Sequence, residues 1–410
     1  MSAKHTALKT LLLGCLSMAA LTAQAQTSYV LTTLKPAASG APMPRAQQYV
    51  LENTDRVVSH SDYEMGYQQP MCIPGFGCFG GRKTYAAFAT YWPASTSTSV
   101  TPVKLSEVSL GGVPLAQASI GKAGVAVSPD GRVFAGALSG HVFNAAGVLI
   151  GMSNQVVDGQ TSSPQFGSGE VPKRGIDNRG VVVVNQFGKT YLWDLSSRLN
   201  RTTNTTLGDT MPLQATLDKQ GYPGARVNDM IGTSWMVGEV WPQNSEVIGA
   251  CEDNPSNRCW PAVWDNGQMR VIDQRVGRVV ATNANRQLLI RWLGDTYAVW
   301  TNGTEKTIAP LASGQLAVPS GINAAGVVVG RSGSSATDAP ELYNYAGGRA
   351  FIWINGSTQD LTNYVNARGA RLPSGSVLED ARAINDKGSI VAVLRNWLGT
   401  RSTVRLTAMP

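Results

Sequence analysis

Histidine is nearly missing: His5, His60 and His141 are the whole supply in 410 residues. Imidazole-based acid–base or metal chemistry therefore has little to build on. His60 and His141 fall inside strand-like runs and read as structural residues. A G-x-S-x-G elbow, an H-E-x-x-H pair, a Walker loop and a dinucleotide fingerprint are all lacking. Their absence removes the commonest hydrolase, zinc-protease and nucleotide-binding signatures. Charge is sparse as well, at 15% of residues, and no Lys/Arg-rich run interleaves with aromatics. That argues against a nucleic-acid partner. After residue 25 no run approaches the roughly 20 apolar residues of a membrane helix, and no 3.6-residue apolar period is sustained, so almost no helix is expected.

What is present begins with a leader. Lys4, His5 and Lys9 precede the apolar stretch Leu11 to Leu21, and Ala23-Gln24-Ala25 forms an A-x-A cleavage site. This pattern predicts a cleaved secretory signal over 1–25 and a mature chain from Gln26, a single domain over 26–410. Lipoprotein processing before Cys15 is the alternative. Export predicts a secreted or periplasmic location, and no cofactor or metal is expected. Cleavage leaves 32 basic against 27 acidic residues, a mild excess of +5. It also leaves four cysteines in two close pairs, Cys72 with Cys78 and Cys251 with Cys259. An oxidising compartment predicts two local disulfides. A four-thiolate zinc site would want the shorter C-x₂₋₄-C spacing.

The remaining chain repeats itself. An N/D-x-x-G turn followed by an apolar β-rich run starts near Asn53, Ser128, Asp177, Asn228, Asn283, Asn323 and Asn385, at intervals of 40 to 75 residues. An aromatic strand follows most of these turns, as in "TYLWDLS", "PAVWDNGQ", "TYAVWTNGT" and "RAFIWINGS". Asn-Gly or a similar pair then closes a hairpin onto another strand. About four antiparallel strands per unit is the content of a propeller blade. The expected fold is all-β, a propeller of seven four-stranded blades. Trp193, Trp264, Trp300 and Trp353 recur at one repeat position and read as blade-to-blade packing. The last unit ends at "STVRLTAMP" without an outer strand, while "SYVLTTLKP" near the start of the mature chain is a strand without a unit. An N-terminal strand completing the last blade would close the ring and cover a sheet edge.

Arg349-Ala350-Phe351-Ile352-Trp353, then "INGSTQDLTNY" and "ARAINDKGSIVA", resemble the HAF-repeat family of secreted bacterial proteins. That family is named for a His-Ala-Phe triplet ahead of Leu-Trp and a downstream Ile-Asn-x-x-Gly turn. Here His141-Val142-Phe143 keeps the His, and Thr190, Thr296 and Arg349 fall near that position elsewhere. The resemblance covers most of 47–408 and implies a propeller-like fold and export, with no assigned activity.

In an up-and-down blade, connections between the first and second strands share a face with those between the third and fourth. Both sets are short here. The long insertions at 62–83, 241–260, 332–348, 151–173 and 363–380 would all crowd the other face. Candidate ligand-binding residues there are Tyr63, Tyr67, Phe76 and Phe79, then Trp241, Glu252, Asp253, Arg258 and Trp260, then Glu341, Tyr343 and Tyr345. Aromatic rings beside charged groups suit a sugar or peptide surface. The primary reading is a monomeric, non-catalytic module for an extracellular polysaccharide or surface protein. One alternative is a glycoside hydrolase or lyase at the same face, with Glu239, Glu246, Glu379 and Asp380 as carboxylates by residue type. The other is a structural module of the envelope or matrix.

Overall fold

A computed structural model describes residues 28–37, 49–69, 71–73, 77–79, 82–105, 109–110, 113–114, 125–136, 139–147, 149–154, 171–186, 189–194, 201–206, 210–212, 222, 224–241, 259–334 and 348–409. The predicted leader over 1–25 lies outside them. The described chain is almost wholly β, with one six-residue helix at Leu361–Asn366.

The strands form a β-propeller. Six sheets carry four or five strands each, four of them in antiparallel order and the two five-stranded ones with a parallel fifth strand, and a three-stranded sheet at 181–212 stands among them. In chain order the larger sheets lie at 50–104, 125–206, 224–271, 277–307 and 316–360, and the sixth joins 377–409 to the N-terminus. In the first five of these sheets the first strand in sequence is innermost and the order runs outward, while in the sixth Val377–Ile384 holds that place and Ser28–Leu34 follows Arg401–Met409. Segment Ile176 bridges Val182 on the inner side of the three-stranded sheet.

The repeated turn explains itself at the atomic level. The Asn283 side-chain oxygen accepts the N–H groups of Asn285 at 3.1 Å and Gln287 at 3.0 Å, locking its own turn. Its Nδ2 donates to the Asn323 carbonyl of the next sheet at 2.7 Å. Asn323 repeats both contacts, accepting from Val327 N at 2.9 Å and donating to the Asn385 carbonyl at 3.1 Å. Asn385 accepts from Ser389 N at 2.9 Å and donates to the Glu52 carbonyl at 2.8 Å. A buried Asn thus satisfies its donor and acceptor capacity inside a turn and across a junction. The Gly closing the motif takes φ of 77° at Gly326 and 88° at Gly388, a region that L side chains rarely adopt.

Other side chains bridge the remaining junctions. Arg56 Nη2 donates to the Gly131 carbonyl at 2.6 Å, and Asp130 N to Asn178 Oδ1 at 3.0 Å. Asn185 Nδ2 donates to the Val227 carbonyl at 2.6 Å, and Trp235 Nε1 to Thr282 Oγ1 at 3.2 Å. With the Asn contacts these junctions run from sheet to sheet and return to the first, so the array is closed.

The turn register differs from the sequence expectation in two sheets. At 50–104 the residue equivalent to Asn283 is Glu52, whose N–H donates to the Arg56 carbonyl at 3.0 Å. At 224–271 it is Ile231, donating to the Trp235 carbonyl at 2.8 Å. Asn228 instead sits in a bulge between Val227 and Asp229 and donates to the Val279 carbonyl at 2.8 Å. The bulge adds a residue that a fixed motif spacing cannot anticipate.

The strand Ser28–Leu34 closes the last sheet. It pairs antiparallel with Arg401–Met409 from Ser28↔Met409 to Leu34↔Thr403, and parallel with Ser99–Val100 on its other side. Tyr29, Thr32 and Leu34 are buried there. The helix was not anticipated by periodicity, because six residues give too few turns for a pattern. Asp360 caps it, accepting from Asn363 N at 3.0 Å, and Leu361 and Val365 are buried against the last sheet.

The core lies between neighbouring sheets. Trp264 packs with Val183, Val227 and Met236, and Trp353 with Leu289, Val299 and Ile322, each bridging two sheets. Trp300 is partly buried in a third such layer. Trp193 lies on the strand Lys189–Asp194. Burial of Trp264 and Trp353 between sheets matches what the recurring position implies.

Candidate functional site

The face carrying the second-to-third-strand connections is the candidate. Among the described residues five large apolar side chains are exposed: Tyr67, Val103, Leu293, Trp397 and Leu398. Leu293, Trp397 and Leu398 stand on connections between second and third strands, and Tyr67 lies near the far end of a second strand, Val57–Gln68. Such connections emerge on one side of the ring, so these side chains share a face.

Local chemistry holds two of the tips. Trp397 and Leu398, 72% and 65% exposed, cap a turn in which Asn396 N donates to the Thr400 carbonyl at 2.9 Å. The Asn396 side chain accepts the Thr400 N–H at 2.9 Å, so the turn is fixed by its own Asx contact. The equivalent turn after Arg291 is braced by Arg291 Nε donating to Asp295 Oδ1 at 2.8 Å. There Trp292 folds back, its Nε1 donating to Glu305 at 3.1 Å under the Arg275 guanidinium, and Leu293 is left exposed. Both turns read Trp-Leu-Gly. That duplicated triplet is the signal the sequence reading passed over.

The region expected as a loop over 62–83 is largely a β-ribbon. Strands Val57–Gln68 and Arg82–Trp92 pair along their length, with a small hairpin of Met71–Ile73 and Gly77–Phe79 beyond. Alternation of small and aromatic residues, as in "TYAAFATYW", sustains pairing past the sheet body. Tyr67 is exposed near the ribbon tip. Tyr63 is half-buried, edge-on to Phe88 at 5.6 Å. The Lys104 ammonium lies 3.5 Å from the Phe88 ring centre, and burial pushes it below its ordinary value. Burial also raises the Tyr63 phenol, which the Thr90 hydroxyl opposes from 3.3 Å. Tyr63 therefore packs under its own ribbon as much as it faces solvent.

Trp241 corrects the expectation. It ends the strand Trp235–Trp241 opposite Gly224 and is buried at 3% exposure, so it is a core residue and not a surface ring. Trp260 is half-buried, edge-on to Tyr222 at 6.0 Å. Phe76, Glu252, Asp253, Arg258, Glu341, Tyr343 and Tyr345 lie outside the described residues, and for Phe79 only the strand position is described.

The carboxylates chosen by residue type are engaged elsewhere. Glu379 is buried and accepts from Arg395 Nε at 2.5 Å and Arg401 Nε at 2.6 Å. Asp380 is buried and paired with Arg382 at 3.2 Å. Glu239 is buried and accepts from Asn228 Nδ2. Glu246 lies outside the described residues. A carboxylate held by two guanidiniums has both oxygens committed to structural contacts. Cys72 and Cys78 stand directly opposite on the small hairpin. Among the described residues no group of three His, Cys, Asp or Glu could hold a metal, and no helix is long and apolar enough to cross a membrane.

No family model and no curated protein matches this chain. Among solved structures it is similar to "YCF48 bound to D1 peptide" at 9% identity, covering 85% of this chain and 96% of that one with a TM-score of 0.37. It is also similar to the WD40 beta propeller domain of Doa1 at 10% identity, covering 92% and 96%, with a TM-score of 0.35. The propeller is read from this chain's own sheets and junctions.

Proposed function

We propose that the protein is an exported, monomeric propeller that binds an extracellular polysaccharide or surface protein without catalysis, using the face described above. The observation that carries this reading is the gathering of Tyr67, Leu293, Trp397 and Leu398 on one face. Large apolar side chains held on rigid turns lose little conformational entropy on binding and supply stacking area. On this reading the three-stranded sheet at 181–212, with Ile176 at its inner edge, is taken as a seventh blade. The HAF-repeat likeness and the leader-like N-terminus support export.

The test is a glycan array probed with the mature protein and with a Trp397→Ser, Leu398→Ser double variant. Exposed positions tolerate substitution within about 0.5 kcal/mol, so melting should be unchanged. The expected result is a defined glycan signal that falls at least tenfold in the variant. Equal signals, or no glycan signal from the unmodified protein, would overturn the polysaccharide reading.

Two local disulfides complete the proposal. Directly opposed residues on antiparallel strands place Cα atoms about 4.5–5.5 Å apart, within disulfide range. Non-reducing peptide mapping is expected to recover Cys72 joined to Cys78 and Cys251 joined to Cys259. Recovery of a Cys72–Cys251 peptide would contradict it.

A further inference from the structure

The two Trp-Leu-Gly turns on the candidate face differ in charge. In the 277–307 sheet Arg291 precedes the turn, Asp295 follows it, and the two pair with each other. Trp292 is tucked under Arg275 there. In the last sheet the turn reads Arg395-Asn396-Trp397-Leu398-Gly399-Thr400-Arg401, with an arginine at either end and no acid within it. Arg395 and Arg401 stand directly opposite each other on antiparallel strands. Like charges in that register repel.

Glu379 offsets the repulsion. Its side chain is 1% exposed, and its two oxygens accept separately from Arg395 Nε at 2.5 Å and Arg401 Nε at 2.6 Å. One buried carboxylate thus orients both guanidiniums, while their side chains stay 36% and 29% exposed. An arginine carries five N–H donors in a planar fork, so donation from Nε does not exhaust it. Trp397, the most exposed of the large apolar side chains among the described residues, stands in the turn between them.

The neighbouring connection has the same sign. Segment 361–376 joins the fourth strand of one sheet to the first of the next and so emerges on this side of the ring. It touches the turn: a Cβ on Gly375 would lie 3.2 Å from the Trp397 Cβ. Its Arg371 is exposed. Neither 361–378 nor 387–410 contains an Asp or Glu. An open indole flanked by oriented guanidiniums is complementary to a flat ring that bears a negative charge.

We infer that Trp397, Arg395 and Arg401 bind an acidic polysaccharide, with a uronate ring stacked on the indole and its carboxylate on the guanidiniums. The inference rests on the glycan reading of this face and names the glycan as anionic. A guanidinium fork pairs with a carboxylate through two parallel charge-assisted bonds, which a neutral ester or hydroxyl cannot match.

The test is calorimetric titration at pH 7 of the chain from Gln26 onward with oligogalacturonate and oligomannuronate, each as the free acid and as its methyl ester. Esterification removes the charge and keeps the ring. At least one free acid should bind about tenfold or more tighter than its ester. Arg395→Gln should reduce that ratio to near one, and Trp397→Ser should weaken acid and ester alike. The acid-to-ester ratio of the unmodified protein decides the matter even if the Arg395 variant fails to fold. Equal binding of acid and ester, lost in Trp397→Ser, would overturn the acidic reading and leave the glycan face standing. Binding of neither form would overturn the acidic reading, and the glycan array then decides the face separately. Poly-glutamate binding tighter than every uronate would assign the guanidiniums to an acidic polypeptide and overturn the inference.

Discussion

Arg405→Ala is expected to destabilise the whole propeller by about 2–5 kcal/mol, because it strips the donor from carbonyls at the ring junction. Arg405 is fully buried on the strand Arg401–Met409. Its Nη1 donates to the Asp55 carbonyl at 2.7 Å and the Pro93 carbonyl at 3.0 Å, and its Nη2 to the Ser95 carbonyl at 2.5 Å. All three acceptors belong to segments flanking the 50–104 sheet, so one side chain fastens the last sheet to the first. Ser95 keeps a second donor, the Thr32 hydroxyl at 3.3 Å, but Asp55 and Pro93 lose theirs. Each orphaned carbonyl costs about 1–3 kcal/mol. Burial pushes the guanidinium below its ordinary value, with Asp55 opposing, so the site carries a desolvation penalty that the three carbonyls offset. Arg405→Lys should recover only part of the loss, since a single ammonium cannot reproduce the planar fork. Denaturant unfolding measures both variants. A loss below about 0.5 kcal/mol for the alanine variant, the range of an inert surface change, would remove Arg405 from the junction.

The repeats were legible because a blade must write the same local chemistry each time. An Asn that locks its turn and reaches the next sheet leaves a recurrent mark, and so does a Trp that fills the layer between sheets. The turn offsets at Glu52 and Ile231 were not legible. A bulge such as that at Asn228 changes strand length without changing composition. Trp241 was misplaced for a related reason. It is the last strand residue before a long insertion, and strand alternation gives no signal about where pairing stops.

The candidate face was legible only as a side of the ring. Where a loop lies follows from strand order, but what its side chains meet depends on packing that carries no period. Trp397 and Trp292 occupy the same triplet, yet one is exposed and the other folds under Arg275. Contacts between the inner strands were less legible still. Arg174 and Asp229 are distant in sequence and meet only because the sheets close on themselves.

Closure rests on the strand Ser28–Leu34, which lies inside its sheet and not at an edge, between Arg401–Met409 and Ser99–Val100. Trp92 Nε1 donates to the Lys35 carbonyl at 2.8 Å, and Lys35 N to the Val100 carbonyl at 2.9 Å, binding the strand's end to the 50–104 sheet. Removing it exposes surface buried by Tyr29, Leu31 and Leu34. At about 1.5–3 kcal/mol per large apolar side chain, with the ladder lost as well, the effect is comparable to the roughly 5–15 kcal/mol that holds a typical domain together. It also bares the edge of Arg401–Met409 as a template for aggregation. The decisive measurement is thermal unfolding with light scattering of the chain from Gln26 onward against the same chain lacking residues 28–34. A closed ring requires one transition, displaced far downward for the whole domain, with scattering that rises with it. A melting temperature and solubility equal to those of the intact chain would contradict closure by the N-terminal strand.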